Sequence, residues 1–257
     1  MNSQSKAYAI LLYLIWPFSA LLVGLKYFDF RFGKNLLIAL FAFLGFTAIS
    51  FGDLNRYETG FYSITSPDFS TIFSNLFSLK TGKFYNDFFS FIASTVFSSH
   101  HFYFMLLFLV YGYLLINIIY SFKSLSIKKH DKFGFLFFLG LALYYPISNI
   151  LNLAFYTGAL FVIYCLIKYY NKGNKKYLYF ILLAPLFHLG LSIFIIIPFL
   201  VILFKDKLLF YLIFVIFTFG VGQSNFVGVI EDLATSNSGT IVETKYKAYA
   251  SEKGQES

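Results

Sequence analysis

His188 stands inside the apolar stretch LLAPLFHLGLSIFIIIP. Imidazole is the side chain best suited to moving a proton near neutral pH. An ionisable group at that depth is a functional-site candidate, and its structural alternative is a neutral ring bonded to a backbone carbonyl between helices. A second group lies in GDLNRYETGFY, where Asp53, Arg56, Tyr57 and Glu58 fall within six positions. Arg56 and Arg31 are the only arginines, against eighteen lysines. A guanidinium grips two phosphate oxygens at once, so Arg56 is a candidate anion contact. Asp53 could accept a proton, and it lies three residues before Arg56, a spacing that allows pairing on a helix. As a solvated loop the cluster would carry no function; the scarcity of arginine is what singles it out. Asn149 and Asn152, three apart after Pro146, would share one helical face, where amides at depth need partners from a neighbouring helix or a polar pocket. His100 and His101 are adjacent, so on a helix their rings diverge by about 100°; the pair is read as interfacial. Cys165 is the single cysteine, no C-x-x-C or His/Cys cluster occurs, and no metal or cofactor is expected.

The elements that must hold these residues are membrane helices. The chain is 58% hydrophobic and only 12% charged, about half the charge of an ordinary soluble domain. Such a chain cannot cover a water-facing surface, so lipid must be part of its solvent. The apolar runs are continuous, which disfavours a β-barrel. The expected fold is an all-α polytopic transmembrane bundle with short or re-entrant hairpins and an outer amphipathic segment. Residues 1–222 form its single membrane domain, followed by a polar tail, 223–257.

The first run, Ala7–Leu25, lacks a small-residue cleavage site and is expected to remain as a spanning helix. Asn35–Phe51 and Phe102–Phe122 are further spans. Between them, Phe84–Phe97 is too short and too polar to cross; it is read as an amphipathic interfacial helix or as a loop helix packed on its neighbours. The block 133–167, interrupted at YYPISN, has room for two short spans. The block 177–204, with Pro185 and Pro198, does not: two 13-residue arms would rise only about 20 Å each, against a hydrocarbon core of about 30 Å. It is a re-entrant hairpin or one long tilted helix. Leu208–Gly222 is a last span.

The net charge of +8 does not point to nucleic acid, because the lysines sit in short loops between apolar runs. Segments 26–34, 123–132, 168–176 and 205–207 hold thirteen basic residues against three acids; 1–6, 53–100 and 223–257 hold seven against nine. Positive-inside counting places the first set in the cytoplasm and leaves the N-terminus, the 53–100 segment and the tail outside.

Three stretches, in this order, resemble the EpsG family of Wzy-like bacterial polysaccharide polymerases: FGDLNRYETGFY, ISNILNLAFYTGALFVIYCLIKYYNKGNKKY and LLAPLFHLGLSIFIIIP. The resemblance covers roughly residues 35–205. It implies a multi-pass protein of the bacterial cytoplasmic membrane that joins undecaprenyl-diphosphate-linked oligosaccharide repeat units on the outer face, in capsule, exopolysaccharide or O-antigen synthesis. Other polysaccharide-assembly proteins, such as a flippase and a chain-length regulator, would be its partners. It implies His188 and Asp53 as catalytic groups, with Arg56, Tyr57, Glu58, Asn149 and Asn152 on the substrate. The family often carries an arginine where this chain has Leu151 and Asn152, so Arg56 would bear more of the diphosphate. Family members tend to be longer, so the resemblance implies either a short variant or a truncated chain in which 223–257 starts a further C-terminal part. Two other functions fit the same residues: a polyprenyl-phosphate-sugar-dependent transferase with Asp53 as base and His188 structural, and a non-enzymatic flippase or transport subunit.

Overall fold

Three prolines decide where the apolar runs stop being α-helical. The structure, a computed structural model, describes residues 3–50, 53–63, 70, 84–126 and 153–204, without the side chains at 53, 63, 122–126, 189 and 193. Every regular element among them is helical. The first apolar run is divided into α1 (Ser3–Ile15) and α2 (Ser19–Lys26), not continuous as the sequence suggests. Pro17 has no N–H and disfavours helical backbone at Trp16. The chain instead makes tight three-residue turns from Trp16, Pro17 and Phe18 to the N–H groups of Ser19, Ala20 and Leu21.

After Tyr27–Phe30 the chain enters α3 (Arg31–Phe46), which begins and ends earlier than its apolar run. α2 and α3 approach backbone to backbone: a Cβ on Gly33 would collide with the Tyr27 carbonyl, and one on Gly24 would lie 2.5 Å from Leu37 Cγ. Small residues permit this closeness. The segment after α3 is also helical, as α4 (Asp53–Ser63). Leu54, Tyr57 and Phe61 recur at helical spacing and turn inward, while Asn55, Arg56 and Thr59 are exposed.

α5 (Phe84–Val96) confirms the expected short helix. It is packed rather than merely interfacial, burying Tyr85, Asn86, Ser90 and Ala93. Ser98, at φ 49°, turns the chain from α5 into the next helix and donates its N–H to Ala93 O. Phe97 stacks on Phe102 across this turn with centroids 3.9 Å apart.

α6 (His100–Ser126) and α7 (Leu153–Lys172) are long and apolar enough to cross a membrane. At 27 residues, α6 rises about 40 Å. α3 runs antiparallel to α6: Gly45 lies against Phe104 and Phe108, Gly112 against Phe41, and Lys34 over the Tyr120 ring at 3.6 Å. α7 runs parallel to α6, since Tyr85 donates to Leu107 O and lies beside Thr157 while Tyr113 meets Tyr164 further along. Ser126 and Leu153 therefore lie towards opposite ends of the pair. The helix break expected at 144–149 and the last span, 208–222, fall outside the described residues, as does the tail.

Past Gly173, at φ 63°, the chain returns along α7. It forms α8 (Lys176–Phe180), a 3₁₀ stretch Ile181–Leu186, a second 3₁₀ stretch Leu189–Ile195, and α9 (Ile196–Phe204). Pro185 cannot donate to Ile181 O, and Pro198 cannot donate to the carbonyl of residue 194. Each leaves a tightened stretch on its N-terminal side. The α-helix thus gives way to 3₁₀ backbone on both sides of His188, within the block read as a re-entrant hairpin or one long tilted helix. Residues 199–257 form a second compact unit, of which only the part up to Phe204 is described.

Candidate functional site

The N-terminal turn of α7 is met by two of the predicted residues, Tyr57 and His188. Ala154 N–H donates to the Tyr57 hydroxyl at 3.5 Å, which ties the α4 motif to α7 across 97 positions of sequence. The next residue, Phe155, presents its ring to His188 edge-on, with centroids 5.4 Å apart. Tyr57 and His188 therefore meet consecutive residues of one helical turn.

Packing beneath this turn is dense and aromatic. Phe187 lies between Tyr85, at 4.9 Å, and Phe161, at 5.1 Å between centroids. A Cβ on Gly158 would strike Leu191 and come within 2.7 Å of Phe187 Cβ. Only glycine lets the segment carrying His188 lie this close to α7. Tyr85 is buried beside Tyr57 and Thr157. Burial, the largest influence, and the neighbouring Tyr57 push its phenol well above the ordinary value, with the Thr157 hydrogen bond acting the other way. Tyr85 thus stays a hydroxyl donor to Leu107 O.

His188 is half-buried, and its Nδ1 accepts the Gly190 N–H at 3.1 Å. A neutral imidazole carries one proton, so this bond places it on Nε2. The neutral ring thus offers a donor at Nε2, where the sequence reading looks for a base. Arg56 is on the exposed face of α4 and Glu58 is half-buried. Asp53 opens the helix, but its side chain, and so the expected pairing with Arg56, lies outside what is described. Asn149 and Asn152 also lie outside the described residues.

The structure adds residues that the sequence reading set aside. His100, at the start of α6, has its Nδ1 2.7 Å from the Tyr62 hydroxyl and its Nε2 3.5 Å from Glu58 Oε1. The His101 ring lies tilted against that of His100, with centroids 4.1 Å apart, and reaches the Phe46 ring at 5.7 Å. The available signal was spacing: Glu58 and Tyr62 are four apart, so a helix over this motif puts both on one face. Among the described residues no group of three or more His, Cys, Asp or Glu could hold a metal ion.

The opposite ends of these helices are basic. Lys34 covers Tyr120, Lys168 lies 5.1 Å from the Tyr164 ring, and Lys172 lies 6.0 Å from that of Tyr177. The polar motif and the lysines of α3 and α7 are thus separated along the helix axes. Comparison with family models, curated proteins and solved structures finds no match to this chain.

Proposed function

We propose that the chain is an integral membrane polysaccharide polymerase. It would join undecaprenyl-diphosphate-linked oligosaccharide units on the outer face of the bacterial cytoplasmic membrane. One observation carries the reading: residues of two of the three resembling stretches, Tyr57 and His188, meet consecutive residues of the third, Ala154 and Phe155, in one turn of α7. The separation of this turn from the lysine-bearing ends supports an outward-facing site.

In this reading a hydroxyl of one repeat unit attacks the anomeric carbon of the growing chain, and the lipid diphosphate leaves. Arg56 supplies the planar cation for the departing diphosphate. His188, with its proton on Nε2, donates to a diphosphate oxygen and so stabilises charge that grows as the bond breaks. Asp53, Asn149 and Asn152 complete the substrate contacts.

The test is the length distribution of surface polysaccharide in cells whose only copy is wild type, Arg56→Ala, His188→Ala or Asp53→Asn. Arg56→Ala and His188→Ala should each shorten the polymer to single repeat units, with lipid-linked units accumulating on the outer leaflet. Unchanged length in both variants rules the polymerase out. Loss confined to Asp53→Asn favours the acidic-loop transferase, and accumulation on the inner leaflet favours a flippase.

A further inference from the structure

Transfer to a sugar hydroxyl needs an acceptor for its proton, and His188 already holds its own proton on Nε2. We propose that Tyr62, His100 and Glu58 form a proton relay that serves as the general base, with the Tyr62 hydroxyl as the atom that meets the acceptor sugar. This rests on the polymerase reading and assigns a role within it.

The order of groups follows from their chemistry. A carboxylate only accepts, so Glu58 Oε1 facing Nε2 at 3.5 Å favours the tautomer protonated there. Nδ1 is then the acceptor, and Tyr62 donates its O–H to it at 2.7 Å. The hydroxyl hydrogen points at His100, which leaves the phenol oxygen's remaining lone pair for an incoming hydroxyl. Tyr62 is 59% exposed, whereas the side chains of His100 and Glu58 are only 17% and 25% exposed. The reacting end is therefore open and the supporting end sheltered. A hydroxyl on a base that is oriented by a carboxylate is the arrangement that activates oxygen nucleophiles and bases in other enzymes.

The position is held by both helices. Tyr62 and Glu58 lie one turn apart at the C-terminal half of α4, and Phe61 between them stacks on Tyr103 of α6 with centroids 5.8 Å apart. His100 is wedged against Phe104 at 5.7 Å and His101 at 4.1 Å. Neither partner can drift without disturbing a buried aromatic contact.

In the step, the acceptor oxygen forms a bond to the anomeric carbon as the bond to the diphosphate oxygen breaks, and the electron pair leaves with the lipid diphosphate. The acceptor proton passes to Tyr62 Oη while the Tyr62 proton passes to His100 Nδ1. The resulting imidazolium is stabilised by Glu58 and returns its extra proton to water, which resets the relay.

The test uses the full chain in membrane vesicles, supplied with lipid-linked repeat units extracted from cells lacking it, and follows chain elongation. A positioned general base contributes about 100- to 10,000-fold. Tyr62→Phe should therefore slow elongation at least about 100-fold, with Glu58→Gln and His100→Ala close behind. The thermal midpoint of Tyr62→Phe in detergent should fall only slightly, since what is lost is one hydrogen bond at an exposed hydroxyl. The Tyr62→Phe/Glu58→Gln double variant should be no slower than the worse single, because groups acting as a unit are not additive. Elongation by Tyr62→Phe within twofold of wild type overturns the relay, and so do multiplicative losses in the double variant. If Arg56→Ala slows elongation while Tyr62→Phe does not, the relay alone fails. If neither does, the polymerase reading falls and takes the relay with it.

Discussion

The two ends of the α3, α6 and α7 helices handle charge in different ways. At the basic end, Lys34 and Lys168 each lie over a tyrosine ring, a contact with little directional demand. At the other end, Glu58 and Tyr62 flank the His100 ring, the Tyr57 hydroxyl accepts from Ala154 N–H and His188 accepts from Gly190 N–H, contacts made at defined atoms. Charge that sets orientation in a membrane needs only its sign and side. Charge that performs chemistry needs a defined partner at a defined distance. The contrast is why we propose the α4 end as the site of chemistry.

Several substitutions break or sharpen this contrast. The largest effect is expected from Gly158→Leu, whose side chain would displace Phe187 and Leu191. Overpacking of this kind costs about 1–3 kcal/mol, so the thermal midpoint in detergent should fall and polymer length should collapse with it. Preserved length would show that the His188 segment need not lie against α7.

Next in size is Arg56→Lys, which keeps the charge and loses the fork. Elongation should fall about tenfold, equivalent to about 1.4 kcal/mol of transition-state binding, with the thermal midpoint unchanged because Arg56 is exposed. Equal activity would reduce Arg56 to a topology charge like the lysines.

Lys34→Gln probes the opposite end. Losing its contact with Tyr120 should cost about 0.5–1 kcal/mol of stability and leave polymer length as in wild type. A shortened polymer would mean that the two ends are not functionally distinct. The one stabilising change is Gly60→Ala on α4, where an added Cβ meets nothing within 4 Å. Alanine is favoured over glycine within a helix by about 1 kcal/mol, so chemical denaturation should show a small gain in stability, with elongation unchanged. Slower elongation would imply that α4 must flex to work.

Much of the helix plan was legible from composition. Continuous apolar runs announce helices in lipid, and the positions of Pro17, Pro185 and Pro198 announce where those helices falter, because a missing N–H is a local property. The division of the first run into α1 and α2 was nevertheless read as continuous, since apolar length outweighed a single proline. The short helix read over Phe84–Phe97 is present as Phe84–Val96, but whether it lies at an interface or packs inward depends on what Tyr85 and Ala93 meet.

The sequence by itself determined the helical class and which ends of its segments are basic, because these depend on residue type and local order. It also nominated Arg56, Tyr57, Glu58 and His188. Only the tertiary structure decided which of them meet. Tyr57 finds Ala154 across 97 residues, and Glu58 and Tyr62 find His100 across a long intervening segment. The proton on His188 was likewise settled by how the backbone folds at Gly190. Partners and tautomers depend on three-dimensional distance and direction, which spacing along a chain does not encode.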